Sequence, residues 1–368
     1  IDGSAAGAAT FNDKIIATSA TLSGDLTASS FNGGQLGGRR NLIINGAMKV
    51  AQRGTSTTGL GSSISYGSLD RFIIEAGNTA GRLTMAQVAD VHDGFANAMK
   101  LTCTTADTSI ASNEFAILSQ RLEGQDLQQM KKGTSSAESV TVSFYVKGNA
   151  SATYTLELRD NDNSRFNSQE FPVTTDWVRV SRTFVGDTTG AFDDDNALSL
   201  KCNIHLHAGS DLDGGTHVSN TWGTTSNTRV GENQTSFFDS TDRTFFITGW
   251  QMEVGSQATP FEHRSFGEEL ALCQRYYYDP KLSGSNYWWL NPILTDSNGY
   301  FRRSSFPLPT AMRADPTATL TGATSGTFAS NHPSVEGNDH RHYIGLAGDT
   351  NGENRYSDIR SLTLDAEL

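Results

Sequence analysis

The sequence predicts a mainly β protein: an N-terminal fibrous stalk, a large jelly-roll-like antiparallel β-sandwich, a short connecting helix and a small C-terminal β head. Three observations predict it. Long stretches alternate apolar and polar residues with a period of two, the pattern of a sheet packed on one face. Clusters of Gly, Asn, Asp and Ser punctuate those stretches at turn spacing. Hydrophobic residues make up only 36% of the 368 residues and Gly contributes 36, which suits thin, turn-rich β layers better than one thick α/β core.

The stalk is expected over residues 1–38. This segment has no Trp or Tyr, and its apolar residues (Phe11, Ile15, Ile16, Leu22, Leu26, Phe31) are isolated among Ser, Thr, Ala and Gly. Alone it cannot bury enough surface to offset its ordering entropy. It reads either as a linker or as a shaft completed by other copies of the chain. The chain opens on Ile1 rather than Met, as a processed product or a fragment does.

The sandwich is expected over residues 39–264, with about ten strands. In Val140–Lys147, Val140, Val142, Phe144 and Val146 share one face. In Leu198–Ala208, Leu198, Leu200, Cys202, Ile204 and Leu206 point one way; Ser199, Lys201, Asn203, His205 and His207 point the other, and His205 and His207 read as solvated. Tyr154–Arg159, Trp177–Val185 and Phe246–Val254 alternate similarly. The connecting helix is expected over residues 265–276. Ser265 and Glu268 form a capping box, Glu268 and Glu269 occupy the first turn, Arg275 the last, and Leu270, Cys273 and Tyr277 make the apolar stripe. Short strands return over residues 277–368, the expected head.

Charge and cysteine content exclude several classes. Twenty-eight basic against 40 acidic residues give −12, which argues against nucleic acid and against an anionic membrane surface. No apolar run reaches membrane-spanning length, so no membrane insertion is expected. Cys103, Cys202 and Cys273 are odd in number and widely spaced, which reads as free thiols rather than a disulfide framework or zinc knuckle. No nucleophile-elbow, zinc-protease or phosphate-loop motif occurs. No enzyme activity is expected.

Several phrases, in order, resemble phage tail fibre and virion appendage proteins. They are Asn41-Leu42-Ile43-Ile44-Asn45-Gly46-Ala47-Met48 with Gln52-Arg53-Gly54 and Leu69-Asp70-Arg71-Phe72, then Gln120-Arg121-Leu122-Glu123-Gly124, then Thr248 to Gly255. Ala258 to Tyr277 and Phe306 to Arg313 followed by Pro316-Thr317 complete the series. The opening phrase is also similar to the first strand of carbohydrate-binding-module sandwiches. The resemblance implies a homotrimeric, receptor-binding appendage of the virion, assembled in the host cytoplasm. Its N-terminus would join other tail or capsid proteins, and its sandwich domains would adhere to host cell-surface glycans. Two other functions remain open: a tailspike-type polysaccharide depolymerase, and a capsid or tail decoration protein without receptor contact.

Sugar binding calls for flat aromatic faces beside polar side chains. Tyr287, Trp288 and Trp289 lie among Gly, Ser and Asn and are one candidate platform; on a strand the two Trp face opposite ways, so at least one is core or trimer interface. Trp222, beside Asn220 and Gly223, is a second candidate, with a loop anchor as the plainer role. Trp177 and Trp250 read as core. No cofactor is certain; a structural divalent metal has two candidate positions. His340 and His342 share a strand face, and three copies would place six nitrogens around a trimer axis, although a surface strand beside Asp339 is the simpler reading. Asp193 and Asp195 lie in an oxygen-rich loop suited to calcium, with a solvated turn preferred because the calcium-loop spacing is absent.

Overall fold

The structure, a computed structural model, describes residues 39–280, 288–289, 303–323, 343–347 and 358–368. The expected stalk 1–38 lies outside them, as do Tyr287, His340 and His342.

Residues 39–264 fold as two six-stranded antiparallel sheets. The strands are β1 (Ser56–Leu60), β2 (Ser65–Tyr66), β3 (Ile73–Gly77), β4 (Arg82–Val88), β5 (Ala98–Thr105) and β6 (Phe115–Glu123). They continue with β7 (Val140–Gly148), β8 (Ala152–Asp160), β9 (Arg165–Val173), β10 (Val178–Phe184), β11 (Leu198–Ala208) and β12 (Thr244–Val254). The first sheet runs β1-β4-β5-β12-β7-β10 and the second β2-β3-β6-β11-β8-β9. Neighbours such as β5 with β12 and β6 with β11 are far apart in sequence, so the chain crosses repeatedly between sheets, in jelly-roll fashion. Twelve strands form where about ten were expected; the β11 bounds coincide with the alternating run.

The alternating apolar residues meet between the sheets. Val142, Phe144, Val146, Leu200, Cys202, Ile204 and Leu206 are all fully buried there. Trp250 packs at the centre, its ring stacked on Phe72 at 5.6 Å and tilted against Phe144 at 5.9 Å. Trp177 differs from its expected core position: it is half-buried and lies edge-on to Phe246, with the Lys147 ammonium 5.3 Å from its ring. All three cysteines are free and buried. Burial pushes the Cys103 thiol up to about 11 and the Cys202 thiol to about 12, so both stay protonated and inert at neutral pH.

The opening phrase of the sequence stitches the two ends of the sandwich together. Asn41 accepts from the amides of Ile43 (2.9 Å) and Met252 (3.0 Å) and donates to the Trp250 carbonyl (3.1 Å). Asn45 donates to the carbonyls of Val50 and Asp70, and its own amide donates to Glu269 at 2.6 Å. Gly46 is required by proximity: a Cβ there would lie 2.0 Å from the Trp250 carbonyl oxygen. Arg264 closes the junction on Glu269 and on the carbonyls of Ile43 and Asn41.

Beyond the sandwich, α2 (Phe266–Gln274) carries the expected capping box on Ser265 and Glu268; α1 is a four-residue turn, Ser210–Asp213. The helix buries Glu269 and Cys273, while Leu270 is only half-buried, and Arg275 stands just past the helix as its C-cap. Arg275 bonds Glu123 at 2.6 and 3.0 Å, an ion pair to the sandwich in addition to any helix-dipole effect. The strands that follow are β13 (Tyr277–Tyr278), β14 (Trp288–Trp289), β15 (Arg303–Pro307), β16 (Thr317–Ala323), β17 (Tyr343–Ala347) and β18 (Asp358–Asp365). β18 pairs with β13, β14 and β16 around a small core of Met312, Leu362, Leu364 and Ala366. The last residues return to the sandwich: Glu367 pairs with the fully buried Arg71, and Arg121 and Tyr66 donate to the Leu368 carbonyl. Among the described residues no helix is long and apolar enough to cross a membrane.

Candidate functional site

The face of the second sheet turned away from the core is where polar chemistry collects. Strand register sets it out in rows. Lys201 on β11 stands opposite Arg121 on β6 and Arg159 on β8. Two residues along, Asn203 stands opposite Ser119 and Glu157. His205 follows, opposite Ile117 and Thr155. Glu75 on β3 pairs with Ile117 and so reaches the same face.

This corrects the expectation that His205 and His207 are solvated. His205 and His207 are fully buried and Asn203 is 1% exposed. The reason is a roof. The segment between β11 and β12 folds over the outer face, bringing α1, Arg229, Gln234 and Ser236 against it. Both faces of β11 are therefore covered, one by apolar packing and the other by hydrogen bonds.

Under the roof, Glu157 is the hub. Arg229 binds it bidentately (2.6 and 2.8 Å), Asn203 donates to it at 2.8 Å, and His205 Nε2 lies 3.1 Å away. Ser119 completes the chain by donating to Asn203 Oδ1 at 2.6 Å. Burial alone would raise the Glu157 carboxyl, but the Arg229 guanidinium, with His205, holds it well below the usual carboxylate range. Burial lowers the His205 pKa, with Arg229 and Arg159 adding to it against the pull of Glu157. A neutral His205 with its proton on Nε2 serves the acceptor-only carboxylate, and its Nδ1 has no hydrogen-bond partner.

Beside this hub the roof leaves a cavity of about 220 Å³ lined by Glu75, Phe115, Ile117, Arg159, Lys201, Asn203, Leu212 and Arg229. Glu75 accepts from Lys201 (2.9 and 3.0 Å) and from Arg121 (3.0 and 3.1 Å). Burial pushes its carboxyl up, yet these two cations outweigh burial and hold it below the ordinary range. Arg159 is half-buried and makes no side-chain hydrogen bond or ion pair to any described residue. The cavity can thus offer charged donors, amide and carboxylate groups and an apolar wall to a small polar ligand.

A second cluster lies where β11 leaves the sheet. Asp107, Glu114 and His207 are buried, and one ligand atom from each falls within 4.8 Å of the others, the one such grouping among the described residues. His207 Nε2 lies 3.2 Å from Glu114 and its Nδ1 lies 2.8 Å from Ser236 Oγ. Asp107 accepts from Thr79 Oγ1 and the Ala80 amide, both at 2.7 Å. These residues are the right types for a divalent ion, and the hydrogen bonds already give each of them a partner.

The residues singled out in the sequence lie elsewhere. Trp222 is half-buried against the core; its Nε1 donates to the Val185 carbonyl at 2.7 Å. Asp193 and Asp195 are exposed; Asp195 caps the Ala197 amide, and the Asp193 amide donates to Asp162. Trp288 and Trp289 form β14, opposite Ile359 and Asp358. Glu75, Glu157, Arg159 and Arg229 were missed. For Glu157 and Arg159 the polar side of an alternating run was the only signal, and it does not distinguish a roofed face from a wet one; Arg229 lies in the roof, which carries no periodic pattern.

No protein-family model matches the chain, and no curated protein matches it. Solved structures with some likeness include a family 4 carbohydrate-binding module at 12% identity and TM-score 0.30, covering 58% of this chain and 99% of that one. The xylan-binding domain CBM22-1 from Paenibacillus barcinonensis gives 13% identity and TM-score 0.28, covering 60% of this chain and 100% of that one. The enzymatically active domain of bacteriophage CBA120 tailspike protein 4 gives 12% identity and TM-score 0.30, covering 58% of this chain and 21% of that one. At these values nothing about ligand or activity passes from them to this chain, and the sandwich stands on its own strand pairing.

Proposed function

We propose that the protein is a glycan-binding adhesion subunit of a phage tail fibre or fibre-like virion appendage. The observation that carries the binding reading is the roofed polar cavity on the outer face of the second sheet, where side chains from four strands and the roof converge. Residues 41–48 and 258–277, which resemble appendage proteins, support the placement on a virion. In this reading the assembly is a homotrimer that joins other virion proteins through its N-terminus, as the resemblance of residues 41–48 and 258–277 implies. Adhesion works by avidity: three weak sites per trimer raise the effective concentration of each other without tight single contacts.

Binding is favoured over hydrolysis by the state of the carboxylates. A glycosidic acid needs a raised pKa. Glu75 and Glu157 are both held low by bound cations. The test is a glycan array and whole-cell binding, run beside size analysis of host polysaccharide after incubation. Retention on cells with polysaccharide length unchanged is expected. Shortening of the polymer would favour the depolymerase, and no binding to any glycan or cell would favour a decoration protein.

A further inference from the structure

Resting on the glycan reading, we propose that the cavity selects a saccharide bearing a carboxylate, and that Arg159 is the residue that seats it. Among the described residues, four cations in and around the cavity face two carboxylates, and one of the four makes no ion pair. Lys201 and Arg121 share Glu75, and Arg229 takes Glu157. Arg121 also donates to the Leu368 carbonyl. Among the described residues no carboxylate remains for Arg159, although the whole chain carries −12 and acidic residues outnumber basic ones 40 to 28.

The position is unfavourable for an unpaired cation. Arg159 stands directly across from Lys201 in the sheet, and like charges at opposed positions destabilise a strand pair. Partial burial and the neighbouring Arg229 both disfavour its charge, and they outweigh the help from Glu157 and Glu75. Guanidinium stays charged regardless. A ligand carboxylate would remove that repulsion, and its two oxygens match the planar fork of the guanidinium bidentately. Lys201 and Asn203 line the same cavity and supply further donors, while Phe115, Ile117 and Leu212 give an apolar wall for the C–H face of a sugar ring. The cavity is below the roughly 300–1,000 Å³ of pockets that engulf a drug-sized ligand. It therefore takes one acidic residue or a chain end, with the remaining glycan outside.

The experiment uses the full chain with trigalacturonate, its neutral counterpart galactotriose, and an array of acidic and neutral glycans. The expected result is a preference for carboxylated sugars that weakens as sodium chloride is raised. Arg159→Gln should reduce that binding by about 10- to 100-fold, the worth of a hydrogen bond to a charged group. Arg159→Lys, which keeps the charge and loses the fork, should fall between. An unchanged melting temperature in both variants separates lost binding from lost folding. Equal binding of neutral and acidic sugars, or an acidic preference that survives Arg159→Gln, overturns the inference and leaves the glycan reading standing. Binding only to sulfated glycans, with sulfate alone competing, overturns the carboxylate assignment. Silence across the whole array overturns the glycan reading and this inference with it.

Discussion

Replacing Arg229 with Met tests the buried hub directly. Glu157 is fully buried, and among the described residues Arg229 supplies two of its four hydrogen bonds and its one full counter-charge at close range. Removing one partner of a buried pair costs about 3–5 kcal/mol, because the surviving charge stays desolvated. Asn203 and His205 still donate to Glu157, which sets the expectation at the lower end, about 3 kcal/mol. For a domain of this size that is a fall on the order of 6–12 °C in melting temperature. The double variant Arg229→Met with Glu157→Leu removes both charges and should recover most of the loss, since apolar replacement of a whole buried pair is often neutral. Acidity adds a second signature. In the single variant the Glu157 pKa rises above its unfolded value, so its contribution is present below the unfolded pKa and is lost as pH rises through the folded one. The deficit should therefore narrow when thermal unfolding is followed at pH 5 rather than pH 7. A single variant that melts within about 2 °C of the parent, or a double variant no better than the single, would refute the hub.

The other expectations concern the backbone junction and the buried imidazole. Gly46→Ala drives a methyl into the Trp250 carbonyl and strains the hydrogen bond that the Trp250 amide donates to the Gly46 carbonyl (2.9 Å), so urea unfolding should show a loss of about 2–3 kcal/mol; an unchanged midpoint would mean the close approach is not rigid. His205 has its pKa lowered by burial, so it contributes stability above the unfolded value of about 6.5 that drains away as pH falls below it. The parent melting temperature should decline on acidification from pH 7.5 to 5.5, and His205→Gln should flatten that decline; a parallel curve for the variant would place the pH dependence elsewhere.

β7, β8, β10, β11 and β12 were legible because each presents one apolar face, and that face alone sets a period of two; β1 (Ser56–Leu60) and β2 (Ser65–Tyr66) carry no such pattern. β11 shows both the strength and the limit of the signal. Its bounds and core residues could be read directly, whereas the fate of Asn203, His205 and His207 could not. Their burial depends on a roof between β11 and β12 that has no periodic pattern and is held by side-chain hydrogen bonds such as Arg229 to Glu157. The row of Arg121, Lys201 and Arg159 is equally invisible locally, since only strand register brings residues so far apart into line. Trp177 misled because an aromatic in a strand-like run suits either face, and here it covers Phe246 from outside. The phrases that resemble appendage proteins mark fold-holding residues. Asn41, Asn45, Gly46, Arg264 and Glu269 form the junction, and none of them lines the polar cavity.

Arg71 and Glu367 are separated by 296 residues. On a ribosome adding roughly 5–20 residues per second, Arg71 waits on the order of 15–60 seconds before its partner exists. Until then a guanidinium destined for the interior lacks the anion it meets in the folded chain, and Tyr66 and Arg121 lack the Leu368 carbonyl they donate to. Only a chain translated through Glu367 can form that pair, so premature termination leaves a product with a built-in electrostatic fault.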